Sequence, residues 1–311
     1  MRILDLPRCP ACGGGEFRFF DLAAGNALRR CTACDTVSAL KYADPADVYV
    51  DGYLFGEAGD FGIDVTHPQF QEYLVRVAHR RVGFIERALG RRGRLLDVGA
   101  GTGEVLMAAR DRGWTVQGVE PERTAAEMAA ERGLEVKVAR LEESGLTERD
   151  YDVVSAFHVL EHQPDSRAFL RTLTRWARPG GLVVVEVPNF RSVQRRRLRE
   201  AWSALRPLEH LVHFTPKTLR RTFRASGLEP VLVRSPAYVG TPQDLDHALG
   251  DLARGDRLRR LVEPLSPVRQ VDGKSGRYPA PAAWAILHGV ESLYDRAGVG
   301  SVVFCVGRVS P

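Results

Sequence analysis

The chain has 311 residues, 44 of them Lys or Arg and 39 Asp or Glu, for a net charge of +5, and 44% of its residues are hydrophobic. That length can bury one full domain and a small appendage. No apolar run approaches the roughly 18 residues of a membrane span, and Met1-Arg-Ile-Leu-Asp-Leu-Pro7 lacks the apolar stretch of a secretory leader, so a soluble cytoplasmic enzyme without a membrane partner is expected.

The first readable element is a pair of C-x-x-C knuckles, Cys9-Pro-Ala-Cys12 and Cys31-Thr-Ala-Cys34, separated by 18 residues. This is zinc-ribbon spacing. Four thiolates make a closed tetrahedral site with no position left for substrate, so the zinc expected on Cys9, Cys12, Cys31 and Cys34 is structural. Residues 1–45 are too short to build a core of their own, and metal binding should supply most of their folding energy. Two disulfides are the alternative use of these thiols. Residues 46–90 comprise an aromatic segment, Tyr49-Val-Asp-Gly-Tyr-Leu-Phe55, and a lead-in helix over about Pro68 to Leu89, where Phe70, Leu74, Val77, Phe84, Ile85 and Leu89 recur near helical spacing.

Residues 94–106, Arg-Leu-Leu-Asp-Val-Gly-Ala-Gly-Thr-Gly-Glu-Val-Leu, read as a buried parallel strand, a glycine loop and a helix that runs to about Arg112. Gly99, Gly101 and Gly103 let the backbone turn sharply and approach a ligand, and the helix aims its unpaired N–H groups at the loop. A dinucleotide fingerprint is excluded because its last glycine position is Glu104, whose carboxylate would face the pyrophosphate. A P-loop is excluded because no Gly-Lys-Ser/Thr follows. An Asp two residues before a G-x-G-x-G turn suits a ligand with an ammonium group and no phosphate. The stretch resembles the first motif of class I S-adenosylmethionine-dependent methyltransferases. The resemblance implies an α/β fold, a doubly wound seven-stranded Rossmann-like sheet over 91–311 beside the small zinc ribbon. It also implies that Asp97, Gly99, Ala100, Gly101 and Gly103 hold the methionine part of S-adenosylmethionine.

Trp114 to Glu120 reads as the second strand and ends in a carboxylate, where such folds accept ribose hydroxyls; the resemblance gives this role to Glu120, with Pro121 beside it. A helix from about Glu122 to Arg132 and a third strand, Glu135 to Ala139, follow. Arg140-Leu-Glu-Glu143 occupies the stretch where relatives contact adenine, so Leu141 is expected on the ring and Glu142 at its amino group, with a solvent-facing Glu pair as the alternative. By the same resemblance, Tyr53 and Phe55 would shield the sulfonium.

Tyr151-Asp-Val-Val-Ser-Ala-Phe-His-Val-Leu-Glu-His162 and Arg178-Pro-Gly-Gly-Leu-Val-Val-Val-Glu-Val-Pro188 resemble the fourth and fifth strands of methyltransferases related to the ubiquinone-biosynthesis O-methyltransferase. Asp165 caps the helix between them, and Pro-Gly-Gly is expected to end it as a turn. Residues past a strand's carboxyl end face the ligand crevice, which puts Phe157 and His158 beside the transferable methyl group. A third block, Trp202 to Thr215, resembles the His-rich segment of the same relatives, and a helix from Thr215-Pro216 to Gly227 leads to a strand, Leu228 to Val233. Four of the eight histidines thus fall in two short segments. An imidazole with pKa near 6.5 can take an acceptor proton, so His158, His213 and His210 are the general-base candidates, and His162 is structural. Glu161-His162 and Glu209-His210 lack i, i+4 spacing, which argues against a catalytic metal.

Arg191-Ser-Val-Gln-Arg-Arg-Arg-Leu-Arg199 is the sharpest basic cluster, read as a solvated helix face with phosphate contacts as the alternative. Residues 240–282 read as a lid-like insertion, followed by a helix to Arg296 and a last strand, Ser301 to Val309, which holds the inert thiol Cys305. The expected function is methyl transfer from S-adenosylmethionine to an O, N or C atom of a small-molecule acceptor in specialised metabolism. An RNA methyltransferase that grips nucleic acid through the ribbon and the Arg-rich segment, and a non-methylating enzyme on the same fold, stay open.

Overall fold

The computed structural model describes residues 2–20, 28–48, 68–206, 208–237 and 292–311. Tyr53, Phe55 and the insertion at 240–282 lie outside the described residues. Around the cysteine knuckles run β1 (Ile3–Asp5), β2 (Phe17–Phe20), β3 (Leu28–Cys31), β4 (Val37–Ala39) and β5 (Lys41–Ala43), then the single turn α1 (Pro45–Val48). The chain then alternates helix and strand: α2 (Pro68–Leu89), β6 (Arg94–Val98), α3 (Glu104–Arg110), β7 (Thr115–Glu120), α4 (Arg123–Glu131) and β8 (Val136–Val138). After these come β9 (Tyr151–Phe157), α5 (Ser166–Trp176), β10 (Ala177–Pro188), α6 (Val193–Leu198), β11 (Val212–His213), α7 (Pro216–Ala225), β12 (Glu229–Arg234) and β13 (Val302–Arg308).

Seven strands form one sheet in the order β12-β13-β10-β9-β6-β7-β8, parallel except for β13, which runs antiparallel to both neighbours. The seven-stranded doubly wound sheet that the resemblance implies is therefore present. Its central strands are apolar on both faces because helices cover both. Leu182 and Val184 join Val82, Ile85 and Leu106 of α2 and α3. Val183 and Val185 join Leu170, Leu173, Leu219 and Phe223 of α5 and α7 on the other side. This period-two alternation is what fixes the register of β10.

The Pro-Gly-Gly segment departs from the expected turn. β10 begins at Ala177, directly after α5, and Arg178 to Gly181 form an irregularity between Ala177↔Tyr151 and Leu182↔Val153. Pro179 has no N–H to offer the ladder, so the strand bulges there rather than stopping.

β11 stands outside the seven-stranded sheet, although Val212 stays packed in the core of the large domain. It pairs antiparallel with β4, Val212 opposite Ser38 and His213 opposite Val37, and completes a second sheet in the order β11-β4-β3-β2. The knuckles are also tied to the helices: Ser166 N donates to Pro10 O at 3.0 Å, and Arg167 Nη1 donates to Cys12 O at 3.2 Å. All five cysteines are free. The sulfurs of Cys9, Cys12, Cys31 and Cys34 lie within 4.8 Å of one another, a cluster that can hold a tetrahedral zinc. The 3.5 Å between Cys9 and Cys34, and between Cys12 and Cys31, is far beyond a disulfide bond of about 2.05 Å. Cys305 is fully buried, and burial pushes its thiol up, so it is inert. No helix among the described residues is long and apolar enough to cross a membrane.

The purified protein should carry about one zinc per chain by metal analysis. Replacing Cys31 and Cys34 together by Ser should abolish that zinc and expose the N-terminal segment to protease before the large domain is cut; full zinc content in the double variant would refute the four-thiolate site.

Candidate active site

β6 delivers Asp97 to the carboxyl edge of the sheet, and the chain turns through the glycine loop into α3. Gly99 N and Ala100 N donate to Val119 O at 2.9 and 3.1 Å, which ties the loop to β7. Gly101 has φ 53°, and a Cβ there would meet nothing within 4 Å, so its backbone faces open space. At Gly99, φ 74°, a Cβ would fall 2.6 Å from Val159 Cγ2. Gly103 is the N-cap of α3. Asp97 is 2% exposed and accepts from Ser155 Oγ at 2.7 Å. Burial raises its pKa to about 7. Glu120, at the end of β7, accepts from Gly101 N and Glu122 N, each at 2.9 Å, and burial raises its pKa too. Pro121 is exposed beside it, while Glu122 caps α4. Glu104 Oε1 accepts from Arg132 Nη1 at 2.7 Å and from the Thr102 hydroxyl of the loop, so its charge is already partnered. Leu141 is buried in a short 3-10 helix and Glu142 is exposed. Two strand-end carboxylates therefore flank an open loop: this suits a cation that also carries hydroxyls.

On the neighbouring strand end, Phe157 is buried under the Arg81 guanidinium, 4.5 Å from its ring centre. His158 follows with φ 57°, a left-handed conformation that a non-glycine residue keeps only when its surroundings hold it there. Its backbone N donates to Glu186 O at 2.9 Å. Its ring lies between two carboxylates, Nδ1 3.3 Å from Glu161 Oε1 and Nε2 3.4 Å from Glu186 Oε1. Glu186 is 0% exposed and also accepts from Arg81 Nε at 3.0 Å. Burial would raise the Glu186 carboxyl, but Arg81 and His158 outweigh it and hold it down at about 2. For His158, burial works against the charged ring. The side chain is still 43% exposed, and the two carboxylates prevail, raising its pKa to about 9. At neutral pH His158 is an imidazolium.

His162 and His210 are of the opposite kind. Their rings meet edge to face at 4.7 Å, with His162 Nδ1 2.9 Å from Glu209 O and His210 Nδ1 2.9 Å from Ala204 O. A carbonyl partner makes each Nδ1 the donor and leaves the lone pair on Nε2. Burial lowers both, His210 to about 4, so they are neutral. Ligand atoms of Glu161, His162 and His210 lie within 4.8 Å of one another, a donor set that can hold a divalent cation. Spacing within each Glu-His pair did not reveal it because the set draws on both segments. His213 is apart: it is 3% exposed on β11, between Phe190 at 5.2 Å and Trp202 at 6.2 Å, and burial holds its pKa down at about 3.

The methyltransferase domain family matches residues 70–233, just over half of the chain. The chain belongs to that family. This methyltransferase-family chain is 35% identical over 103 residues to the ubiquinone biosynthesis O-methyltransferase of Aeromonas salmonicida (strain A449), covering 31% of this chain and 43% of that protein. It is 33% identical over 154 residues to the enzyme of the same name from Escherichia coli O9:H4 (strain HS), covering 46% and 61%. The chain spans about half the length of the curated relatives it matches. Among solved structures, the 1,6-didemethyltoxoflavin-N1-methyltransferase of Burkholderia thailandensis, with 1,6-didemethyltoxoflavin and S-adenosylhomocysteine bound, aligns with a TM-score of 0.49 at 17% identity, covering 94% of this chain and 100% of that one.

Two residues of this methyltransferase-family site escaped the sequence reading, Arg81 and Glu186. Each carried a signal. Glu186 is a lone acid inside the apolar run Leu182 to Val187, and Arg81 lies on the same helical face as Ala78 and Ile85, which are buried. A charge where the pattern demands an apolar side chain announces a buried partner.

The His158 ring should titrate near 9 by NMR. Because that value lies above the ordinary 6.5, the stabilisation is complete below about 6.5 and is lost as pH rises through about 9. Arg81→Met should cost about 3–5 kcal/mol in urea unfolding, since it leaves Glu186 buried with one partner fewer. A His158 pKa near 6.5 would contradict the carboxylate clamp.

Proposed function

We propose that this protein transfers a methyl group from S-adenosylmethionine to a small-molecule acceptor. The observation that carries the reading is the pair of buried carboxylates, Asp97 and Glu120, on either side of a loop open at Gly101, in a chain of the methyltransferase domain family. Asp97 would take the ammonium of the methionine part. Glu120 already accepts two backbone N–H groups, but each oxygen keeps a lone pair for a ribose hydroxyl. Gly99, Ala100, Gly101 and Gly103 form the backbone cradle, Pro121 and Leu141 border the nucleoside, Glu142 is assigned to the adenine edge, and Tyr53 to the sulfonium. When bound, the cofactor supplies a methyl already activated on sulfur, so the protein's part is alignment and proton handling.

The relatives named as O-methyltransferases support an oxygen acceptor. Phe157 and His158 border that acceptor. His158, an imidazolium whose two N–H groups face Glu161 and Glu186, acts through its positive charge, which makes the acceptor's proton easier to lose; the neutral Nε2 of His210 receives that proton. His213, enclosed between Phe190 and Trp202 with its pKa held down at about 3, takes no proton from the acceptor oxygen. A second reading is favoured by the Glu161, His162 and His210 cluster: a divalent cation there would supply Lewis-acid polarisation of the acceptor.

Calorimetric titration with S-adenosylmethionine tests the donor side. Asp97→Asn and Glu120→Gln should each weaken binding about ten- to hundredfold, the loss of a charge-assisted hydrogen bond worth about 1.5–3 kcal/mol. Wild-type affinity should rise with pH and level off above about 7, as Asp97 ionises, and this dependence should vanish in Asp97→Asn. Unchanged titration of both variants would overturn the assignment. Equal turnover of chelator-treated and cation-replenished enzyme would exclude the metal-assisted reading.

A further inference from the structure

Where the ribbon sheet meets the large domain lies a cavity of about 490 Å³, outside the donor loop and the His158 cluster. Its wall carries Arg30 from the ribbon, Arg191, Arg195 and Arg196 from the segment after β10, and Lys217 from α7. Asp35 is the one carboxylate among the described lining residues. It is shared, with Arg30 at 2.9 Å and Lys217 at 3.7 Å, so it leaves the three arginines of the α6 segment uncompensated by any acid of the wall. Five cations from three separate stretches of chain thus converge on one concave space.

Folding alone does not call for this arrangement. Like charges brought together in a part-buried cavity repel, and the repulsion is felt: burial and the neighbouring Arg30 and Arg196 lower the Arg195 pKa. Arg195 is held in place over the Phe190 ring at 4.2 Å rather than free to turn toward solvent. His213 forms part of the wall, and its buried Nε2 has no hydrogen-bond partner among the described residues. An anion with a hydroxyl or protonated oxygen would answer both features at once, by neutralising the guanidinium groups and by bonding the imidazole.

We propose that this cavity binds the phosphate or diphosphate group of a phosphorylated small molecule, and that this molecule is the methyl acceptor. The second half rests on the methyltransferase reading above. Position supports it: Phe190 and Arg191 follow directly on the carboxyl end of β10, the edge of the sheet that also presents Phe157 and His158, and ligands of open α/β sheets lie along that edge. Size supports a small molecule, since pockets for such ligands run to about 300–1,000 Å³. Planar guanidinium groups match phosphate oxygens better than ammonium groups do, and four of the five cations are arginines. An RNA backbone would call for a basic stripe along an open surface rather than cations closing on one cavity from three sides.

The full chain, zinc-loaded, should be titrated at about 0.15 M salt with inorganic pyrophosphate, ADP and a single-stranded RNA, with S-adenosylmethionine titrated on the same samples. Pyrophosphate and ADP should bind the wild type, and Arg195→Gln with Arg196→Gln should weaken both at least about tenfold. Cofactor affinity should be unchanged in the double variant, which also verifies that it has folded. Cofactor binding without pyrophosphate or ADP binding, or equal binding by wild type and variant, would overturn the anion site and leave the methyltransferase reading standing. Pyrophosphate binding without cofactor binding would do the reverse. Tight, steeply salt-dependent RNA binding that pyrophosphate does not displace would overturn the small-molecule proposal in favour of a nucleic-acid surface.

Discussion

The ion pair between Arg81 and Glu186 governs the charge state of the groups around His158. Glu186 is an acid in the middle of an apolar strand, with hydrogen-bonded neighbours on both sides in the sheet and helices over both faces. A carboxylate so placed is tolerable only with a permanent partner. Arg81 is that partner, and its guanidinium cannot give up its proton to escape. Once Glu186 is fixed as an anion, His158 beside it becomes a cation, and Glu161 on the far side of the ring is drawn down in turn. The sequence Arg81, Glu186, His158, Glu161 is a row of alternating charge laid across the strand ends, anchored at one end in α2 and open to solvent at the ring.

This row separates the histidines into two chemical kinds. Imidazoles that look alike in sequence, two in His158-Val-Leu-Glu-His162 and two in His210-Leu-Val-His213, differ because two carboxylates clamp one and backbone carbonyls or aromatic rings enclose the others. On the proposed reading the two kinds divide the work: the charged ring makes the substrate proton easier to lose and a neutral ring removes it.

The sheet was readable because its signals are local. Asp97 before the glycine loop, Glu120 at a strand end and Asp165 before a helix each follow from backbone rules acting over a few residues, and each stands where those rules put it. The four cysteines were readable for the same reason. What escaped were contacts across long stretches of chain: Arg81 with Glu186, Glu161 with His210, and β11 with β4, where 212–213 joins the ribbon sheet instead of the large one. Pro179 misled because a proline-glycine run usually ends a strand, whereas the interior of this sheet carries the strand past it as a bulge. Periodicity reports which face of an element is buried, and says little about what lies opposite.

Gly99 joins the two halves of the site. The missing Cβ leaves room for the Val159 methyl group, so the glycine loop and the turn carrying His158 touch through a gap that fits one side chain and no more. On the proposed reading, a loop free to shift against that turn would let donor and acceptor drift relative to each other. Here the two strand ends bear on one another like the jaws of a vice closed to a stop, and the separation between the ligands proposed for them would be a property of the backbone rather than of either ligand.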